Sequence, residues 1–578
     1  MPAEWGSDVV VEMMKAYGIK YAPLNLGGTY RGLLDSIVNF GGNQAPEVIE
    51  CLHEEIAVGV AIGYAKASGQ PAVACVHNVV GTMHASMAIY EAFVARTPVI
   101  VMSGTGPMSI TQRRPWIDWV HTALVQGNLV RDFVKWDDQP HDPASVPESF
   151  MRAYRVAMTE PRGPVYLALD AGWQEEQLQQ PIPIPDVAKY PVPTALQGDP
   201  AALKQVAQLL VEADLPIILA DRVGRNSGSV QSLIDLAEAG SIPVVDLGGA
   251  FNFPNTHPLD ATGTDLLTQS DLILLLDVNQ PEVSLIARDR YPRGHGRSRV
   301  KPGAKVVAVG LTDFLIRSTT TDFGSLYPMD LSVGADTSLA LPQITAELRS
   351  LVANGVGSAA RQRRTELIRE QKAATAARWE AESEREFAHN PISHARLAQE
   401  VWDGVKGERW TVTGDAEGWV RRSWDLERPG CVVGTGGGAA GLGTGLARAI
   451  GVGLAARDEG GFCVAFNGDG DFFYDPSCLW TAVHHRIPVL AIVLDNGGYI
   501  GEGGHVAYTS RQRERPDTNN HIAVEIQNPR IDIAGLARAQ GAYAEAVENP
   551  SDLGPAVARA VRTVKEDGTL ALLAVRVG

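Results

Sequence analysis

The chain contains 578 residues, of which 45% are hydrophobic and 20% are charged, and its formal net charge is −17 at pH 7. This length predicts three or four domains of ordinary globular composition, with a core large enough to need no disulfide bonds. A strongly acidic chain is a poor match for phosphate-rich surfaces, which require an excess of Lys and Arg. We therefore expect neither nucleic acid nor a membrane as a partner.

Five cysteines are scattered along the chain, and no two have the CxxC spacing. A sparse, odd number of cysteines predicts reduced thiols and hence a cytoplasmic protein. Glu4 and Asp8 precede the first apolar stretch, whereas a signal peptide begins with basic residues. No apolar run reaches the roughly 18 residues that a membrane span requires.

Short apolar runs alternate with helical windows, which predicts parallel sheets with helices on both faces. The predicted buried strands are residues 72–76, 99–102, 165–169, 216–219, 272–276, 306–309, 464–466 and 489–494. Helices are expected at residues 54–67 and 201–212, among others. The Pro-rich residues 180–193 and the charged residues 351–394 are interpreted as linkers, the second one helical and solvated. The fold class is therefore α/β, with three doubly wound domains at residues 1–180, 195–345 and 390–578.

Residues 462–499 show a strand, a Gly-rich turn, a helix, a second strand and another Gly-rich turn. Gly468 and Gly470 flank Asp469 directly after the first strand, and Asn496 follows the second strand. The carboxyl ends of neighbouring parallel strands lie at the same edge of a sheet, so the Asp469 carboxylate and the Asn496 amide oxygen should converge. Such oxygen ligands suit Mg²⁺ or Ca²⁺, which can bridge to phosphate oxygens.

This arrangement resembles the signature of the thiamine-diphosphate enzyme family, in which Gly-Asp-Gly is followed by a helix, a strand and Asn. The resemblance implies a pyrimidine-binding, a middle and a diphosphate-binding domain. It also implies that Mg²⁺ is held by Asp469, Asn496 and the Gly498 carbonyl. The positions implied to contact thiamine diphosphate are Leu442, Gly468, Asp469, Gly470, Asp471, Asn496, Gly498 and Tyr499.

Two positions in this segment depart from the family. Asp495 stands where Asn is common, and Asp471 stands where the family often has a small or hydroxylic residue. The Asp471 carboxylate would repel a diphosphate unless it faces the metal or is hydrogen-bonded. The sequence leaves that choice open.

Residues 52–69 resemble the pyrimidine-domain helix of the same family, whose Glu exchanges a proton with the cofactor ring. Matching Gly63-Tyr64-Ala65 to the family aligns that residue with Glu54. The Ala and Gly residues of this helix also allow another backbone to pack closely, as an interface helix requires. Leu442 occupies the position of the bulky apolar residue that props the cofactor into its bent form.

A narrower resemblance concerns residues 76–82, which look like the segment of benzoylformate decarboxylase that carries an active-site His. His77 is therefore the second catalytic candidate, since imidazole can transfer protons near neutral pH. Acetolactate synthases typically have Ser-Gly-Pro-Gly at this place. Gly28 stands where the decarboxylase has a Ser, and His295 is the nearest candidate for its second His.

The polar residues 500–529 correspond to a loop that commonly covers the substrate in the family. Glu502 and His505 lie in this segment. They are interpreted either as part of a solvated lid or as a substrate-side acid or base.

The resemblance implies non-oxidative decarboxylation of a small 2-oxo acid, with room for carboligation. An acetolactate-synthase-like carboligase and a 2-hydroxyacyl-CoA lyase, which would take an acyl substrate, are alternatives within this chemistry. A nucleotide-binding oxidoreductase is an alternative from another class, because residues 436–441 fit Gly-x-Gly-x-x-Gly, although the acidic residue expected about 20 positions later, at the end of the next strand, is missing. A relative that only binds the cofactor is a further alternative.

The family clasps each cofactor between the first domain of one chain and the third domain of another. At least a homodimer is therefore implied, and a homotetramer is expected. The middle domain lacks a Gly-rich phosphate loop of its own, so flavin is not expected.

Overall fold

The computed structural model describes residues 2–287, 296–315, 326–434 and 440–578, and it contains three parallel sheets. The predicted fold class, three doubly wound parallel α/β units, is confirmed. The precise domain limits stay predictions. Among the described residues, no helix combines the length and the apolar character that crossing a membrane would require.

The first sheet has the strand order β2-β1-β3-β4-β6-β5. Its strands are β1 (Tyr21–Leu24), β2 (Glu47–Glu50), β3 (Ala72–Val76), β4 (Val99–Thr105), β5 (Asp137–Asp138) and β6 (Val165–Asp170). Its helices are α1 (Gly6–Ala16), α2 (Arg31–Asp35), α3 (Glu54–Ser68), α4 (Val79–Val94), α5 (Val146–Met158) and α6 (Ala171–Gln174). Alternate residues of β3 and β4 pack into two different core clusters, one with α3 and α4 and one with α1 and α5. Both faces of these strands are therefore buried, which explains their continuous apolar runs.

The middle sheet has the order β13-β12-β9-β7-β8, and a short antiparallel pair, β10 and β11, stands apart from it. The strands are β7 (Pro216–Ala220), β8 (Val244–Asp246), β9 (Leu272–Leu276), β10 (Ile286–Ala287), β11 (Arg297–Ser298), β12 (Lys305–Gly310) and β13 (Leu331–Gly334). The helices are α7 (Pro200–Glu212), α8 (Ser227–Gly240), α9 (Leu266–Gln269), α10 (Pro281–Leu285) and α11 (Thr337–Ala353). This sheet has a hydrophobic core of its own.

The predicted charged linker forms the 29-residue helix α12 (Ser358–Glu386). Most of its surface is polar, as expected. However, Arg364, Ile368 and Thr375 are buried, so one stripe of the helix packs against the rest of the protein.

The third sheet has the order β15-β14-β16-β17-β19-β18. Its strands are β14 (Trp410–Thr413), β15 (Val432–Val433), β16 (Phe462–Gly468), β17 (Val489–Asp495), β18 (Tyr543–Val547) and β19 (Ala571–Arg576). Its helices are α13 (His394–Val405), α14 (Trp419–Ser423), α15 (Gly445–Asp458), α16 (Asp469–Phe472), α17 (Cys478–His484), α18 (Ile500–Gln512), α19 (Ile533–Ala539) and α20 (Leu553–Asp567).

The first and third sheets have the same topology. Numbered within its own sheet, each has the order 2-1-3-4-6-5, and the middle sheet follows the same path as 2-1-3-4-5. In such sheets the order reverses beside the first strand, and ligands bind outside the carboxyl ends of the strands at that point.

The small residues of α3 pack against α15 of the same chain. A methyl group at Gly63 would lie 1.9 Å from the Arg448 carbonyl oxygen, and one at Gly451 would lie 2.0 Å from the Val60 carbonyl oxygen. The close backbone approach expected from the sequence is therefore present, but its partner is another helix of this chain. This contact fixes the first unit against the third.

Gly63→Ala is expected to lower the free energy of unfolding by about 1–3 kcal/mol, because the two helices would have to move apart. Denaturant unfolding followed by circular dichroism measures the change. Gly504→Ala is the matched control, since Gly504 lies in a helix and no atom comes within 4 Å of the added methyl group. Equal stability of the two variants would contradict the prediction.

Ion pairs also join each two of the three units. Arg225 pairs with Glu160 at 3.4 Å, Arg421 with Asp246 at 3.0 Å, and Arg448 with Glu91 at 2.5 Å. The side chains of Asp246 and Glu91 are almost completely buried. Removing one partner of such a pair would leave a buried charge uncompensated, so these pairs specify how the units are placed.

Candidate active site

The turns after β16 and β17 bring together the two side chains predicted to converge. The two strands are parallel neighbours, with Gly468 opposite Leu494. Asp469 Oδ2 accepts hydrogen bonds from the Gly497 and Gly498 amides at 2.8 and 3.0 Å. Asn496 Oδ1 accepts from the same Gly498 amide at 3.2 Å. A carboxylate oxygen and an amide oxygen therefore meet at one backbone N–H.

Asp469 is held rigidly in this position. It is buried, and its Oδ1 accepts a further hydrogen bond from the Gly470 amide at 2.8 Å. Burial raises the pKa of Asp469, and the amides of Gly497 and Gly470 oppose that shift. Gly498 has φ +144°, and a methyl group there would lie 2.2 Å from the Val524 carbonyl oxygen, so only glycine fits.

Asp471, whose role the sequence left open, is hydrogen-bonded to the segment that carries Leu442. Its Oδ1 accepts from the Gly443 amide, and the side chain lies close to Asn467 and Gly445. Burial raises the pKa of Asp471, and the Gly443 amide and the positive charge of Arg448 oppose that shift. This carboxylate therefore connects the Leu442 segment to the Asp469 turn.

Two apolar groups lie beside these turns. Leu442 is 38% exposed, which a purely structural core leucine would not be. The Tyr499 ring packs over Gly470, where a methyl group would lie 2.8 Å from the ring. Both positions are accessible to a ligand that approaches the Asp469 turn.

A second group of candidates lies in the first unit. Glu54 is the first residue of α3, is only 6% exposed, and is 3.0 Å from His84 Nδ1. A methyl group at Gly81 would lie 2.6 Å from Glu54 Oε1 and 3.0 Å from His77 Cβ. Glu54 and His77 therefore flank Gly81, and the absence of a side chain there leaves room between them.

His77 directly follows β3, and its ring packs on the early loop. A methyl group at Gly27 would lie 1.9 Å from His77 Cδ2, and the His121 ring meets His77 edge-on with 5.1 Å between centroids. Burial lowers the pKa of His77 to about 4, and His121 and Arg114 act in the same direction. The imidazole is therefore neutral near pH 7. Asn78 Nδ2, which can only donate, lies 3.1 Å from His77 Nε2, so the ring proton is on Nδ1.

The pH dependence of the free energy of unfolding should reflect the lowered pKa of His77. The pKa of His77 is about 4 in the folded chain against an ordinary value of 6.5, so the unfolded chain binds more protons between these pH values. The free energy of unfolding should therefore fall as the pH falls from about 6.5 to about 4. Above that range His77 should add no pH dependence. Denaturant unfolding across this range should show a shallower fall for His77→Gln than for the wild type.

His485, whose pKa burial also lowers to about 4, contributes equally in both proteins, so their difference isolates His77. His389→Gln, at an exposed position, is the matched control and should follow the wild type. Identical pH profiles for His77→Gln and the wild type would contradict the prediction.

The two groups of candidates belong to different parts of one chain. In the ranges that the structure describes, no hydrogen bond or ion pair joins Glu54 or His77 to the Asp469 turn. Glu55, the next residue of α3, faces the third unit instead: a methyl group at Gly443 would lie 3.4 Å from Glu55 Oε1. The first turn of α3 therefore points its two carboxylates in different directions.

The remaining predicted residues lie on the helix α18, near Arg114, or outside the described part of the chain. The segment expected as a loop begins with the helix α18, none of whose side chains is buried, and Glu502 lies on its exposed surface. His505 lies on the same helix. Gly28 lies near Arg114, with 3.4 Å between the position of an added methyl group and Nη1. His295 and most of the 436–441 motif lie outside the described residues.

Several polar neighbours of the candidates were not predicted from the sequence. The sequence spacing could have indicated His84, since it lies three residues after Gly81 on α4 and so on the same helix face. No sequence pattern indicates Arg114 and His121, because residues 106–129 show no periodicity. Arg114 is held there by its ion pair with buried Asp118 at 2.6 Å.

Family models match both groups of candidates. The N-terminal thiamine pyrophosphate (TPP) binding domain of thiamine pyrophosphate enzymes matches residues 4–127, which include Glu54 and His77. The C-terminal TPP binding domain matches residues 412–574, which include Asp469 and Asn496. The chain belongs to the thiamine-diphosphate-dependent enzyme family. This membership leaves the nucleotide-binding oxidoreductase alternative without support.

Relatives of this thiamine-diphosphate enzyme carry the names of different enzymes. A probable acetolactate synthase large subunit from Methanocaldococcus jannaschii is 24% identical, with 95% of this chain and 88% of the relative covered. Benzoylformate decarboxylase from Pseudomonas aeruginosa is 26% identical, with 89% and 91% covered. The crystal structure of benzoylformate decarboxylase from Polynucleobacter necessarius has a TM-score of 0.75 at 19% identity, with 100% and 99% covered. At these identities the fold is shared, and the relatives do not decide the reaction.

The residues present in this thiamine-diphosphate enzyme fit a metal-bound diphosphate. Asp469 and Asn496 offer oxygen ligands at one edge of the sheet, and the Gly498 carbonyl lies in the same turn. The neighbouring Gly497 carbonyl is engaged by the Ile526 amide at 2.8 Å. Oxygen ligands with open positions are what Mg²⁺ requires when it also binds phosphate oxygens.

Proposed function

We propose that this enzyme removes carbon dioxide from a small 2-oxo acid without oxidation, and that carboligation accompanies this reaction. The observation that carries the proposal is that a buried carboxylate, Glu54, and His77, whose imidazole is neutral, both lie beside Gly81. The relatives named benzoylformate decarboxylase support the choice. The acetolactate synthase relatives keep a carboligase as the second candidate.

The cofactor would be held by the third unit. Asp469, Asn496 and the Gly498 carbonyl would bind Mg²⁺, and Gly468, Gly470, Leu442 and Tyr499 would contact thiamine diphosphate. Asp471 would act through its hydrogen bond to the Gly443 amide. Thiamine diphosphate, when bound, supplies a nucleophilic carbon and an electron sink for the bond that breaks.

The first unit would supply the protons. Glu54 would exchange a proton with the aminopyrimidine edge of the cofactor, and His84 would orient its carboxylate. His77, neutral at pH 7, would donate its Nδ1 proton to a substrate oxygen through a hydrogen bond. A neutral imidazole suits this role. A protonated imidazole would be a stronger acid and would bind the product more tightly.

The family arrangement implied by the sequence resemblance, in which each cofactor lies between the first domain of one chain and the third domain of another, supports an assembly of at least two chains. The first unit of one chain would then face the third unit of its partner. We propose a homodimer, and a homotetramer as its further association. Sedimentation analysis of the protein with thiamine diphosphate and Mg²⁺ tests this, and a monomer would exclude it.

The reaction is tested by supplying aromatic and aliphatic 2-oxo acids, with thiamine diphosphate and Mg²⁺, and measuring carbon dioxide release. Benzoylformate and pyruvate are the first substrates to compare. Formation of acetolactate from pyruvate as the main product would favour the carboligase. Cleavage of a 2-hydroxyacyl-CoA without turnover of any 2-oxo acid would overturn the proposal.

The same assay tests His77. His77→Ala should lower kcat by about 10²-fold or more and leave cofactor affinity nearly unchanged, because the proton donor is lost and the diphosphate site is intact. An unchanged kcat would remove His77 from the reaction.

A further inference from the structure

Three side chains to which the proposed function assigns no role cluster where the first turn of α3 meets the third unit. They are His53, Glu55 and Asp475, and His53 Nδ1 and one carboxylate oxygen of each acid lie within 4.8 Å of one another. His53 and Glu55 belong to the first unit, whereas Asp475 follows α16 in the third. The cluster therefore lies between two units that are far apart in the sequence.

Two carboxylate oxygens in this cluster have unused acceptor capacity. Asp475 is only 9% exposed, and its Oδ2, which lies 3.7 Å from His53 Nδ1, is buried. Glu55 Oε1 is buried as well, and in the described part of the chain neither oxygen accepts a hydrogen bond. Buried carboxylate oxygens without donors are costly, so such a pair requires a proton or a cation between them.

The surroundings add negative charge to the cluster. Burial raises the pKa of Glu55 to about 7, and the charges of Asp475 and Asp471 add to this shift. Burial likewise raises the pKa of Asp475 to about 7, together with the charge of Asp471. Asp471 itself accepts a hydrogen bond from the Gly443 amide. A cation at the cluster would relieve this repulsion.

We propose that His53 Nδ1, Glu55 and Asp475 form a divalent-cation site, selective for Zn²⁺ over Mg²⁺, that joins the first and third units of one chain. His53 Nδ1 accepts the Glu55 amide proton at 3.3 Å, so Nδ1 is unprotonated, and a metal bound there would replace this long hydrogen bond. One nitrogen and two carboxylate oxygens, completed by water, are a ligand set typical of Zn²⁺. Mg²⁺ prefers six oxygen ligands and would occupy the diphosphate position.

The proposal is tested by equilibrium dialysis of the full-length protein against Zn²⁺ with saturating thiamine diphosphate and Mg²⁺. The wild type should bind one Zn²⁺ per chain beyond the Mg²⁺ site. Glu55→Gln and Asp475→Asn should each weaken Zn²⁺ binding at least about tenfold, because each loses one charged ligand. Gln and Asn have nearly the same shape as the Glu and Asp that they replace, and each substitution removes a buried charge. The variants should therefore fold, which circular dichroism checks.

Matched controls separate this site from other effects. Glu148→Gln and Asp403→Asn change the same residue types at exposed positions and should bind Zn²⁺ like the wild type. Asn496→Ala should weaken cofactor binding and keep the Zn²⁺. Wild-type Zn²⁺ affinity in Glu55→Gln or Asp475→Asn, or loss of Zn²⁺ in Asn496→Ala, would overturn the proposal.

X-ray absorption at the zinc edge tests the ligand set without a variant. One nitrogen and two carboxylate oxygens at about 2.0–2.2 Å are expected. No Zn²⁺ beyond the trace level, or a spectrum with sulfur ligands, would overturn the site. The outcome is independent of the substrate that the enzyme uses.

Discussion

Glu54→Gln is expected to lower kcat by about 10²–10⁴-fold while thiamine diphosphate and Mg²⁺ still bind. The amide keeps the size of the side chain but cannot exchange a proton with the cofactor. Glu54 is buried and lies 3.0 Å from His84 Nδ1, so its carboxylate is held at a fixed position. Carbon dioxide release measures kcat, and isothermal titration calorimetry measures cofactor affinity.

The control for this variant is Glu148→Gln, which makes the same change on the exposed surface and should keep wild-type kcat. Undiminished turnover in Glu54→Gln would show that another group activates the cofactor. A loss of cofactor binding that accounts for the whole decrease would assign Glu54 a purely structural role.

Asp469→Asn should weaken binding of thiamine diphosphate in the presence of Mg²⁺ by at least about 100-fold, since the only charged ligand at the proposed metal position is lost. It should also lower the free energy of unfolding by about 1–3 kcal/mol. The amide that replaces the carboxylate cannot accept all three N–H groups of Gly470, Gly497 and Gly498, and a buried donor without an acceptor is costly.

Asn496→Ala provides a sharp comparison. Its side chain is exposed, so the variant should weaken cofactor binding with little change in the free energy of unfolding. Asp403→Asn, on the surface, should change neither quantity. Calorimetric titration that shows wild-type affinity in Asp469→Asn would exclude Asp469 as a metal ligand.

Most strands at the centre of each sheet were predicted because their chemistry is local, although the inner strands β1, β14 and β19 were not. The runs at residues 72–76 and 272–276 match β3 and β9 at both ends, since strands buried on both faces consist of continuous apolar residues. The edge strands β2 and β5 were missed, because Glu47–Glu50 and Asp137–Asp138 are short and polar. Their pairing depends on a neighbouring strand that is distant in the sequence.

The candidate metal turn was predictable for a similar reason. Asp469 and Asn496 each follow a recognisable strand, and the parallel alignment of β16 and β17 then brings them to one edge. The role of Asp471 was not predictable, because its acceptor function depends on where the Gly443 amide comes to lie. The segment after Tyr499 was expected as a loop, but its first residues form α18.

By itself, the sequence determined that this protein is a three-unit parallel α/β protein of the thiamine-diphosphate family, with Asp469 and Asn496 at adjacent strand ends. Only the tertiary structure decided which distant side chains surround them: His84 and Gly81 beside Glu54, Arg114 and His121 beside His77, and Asp475 opposite Glu55. The physical reason is that periodicity and turn residues act within a few positions of the chain. The contact of α3 with α15, and the burial that lowers the pKa of His77, arise only when distant parts of the chain pack together.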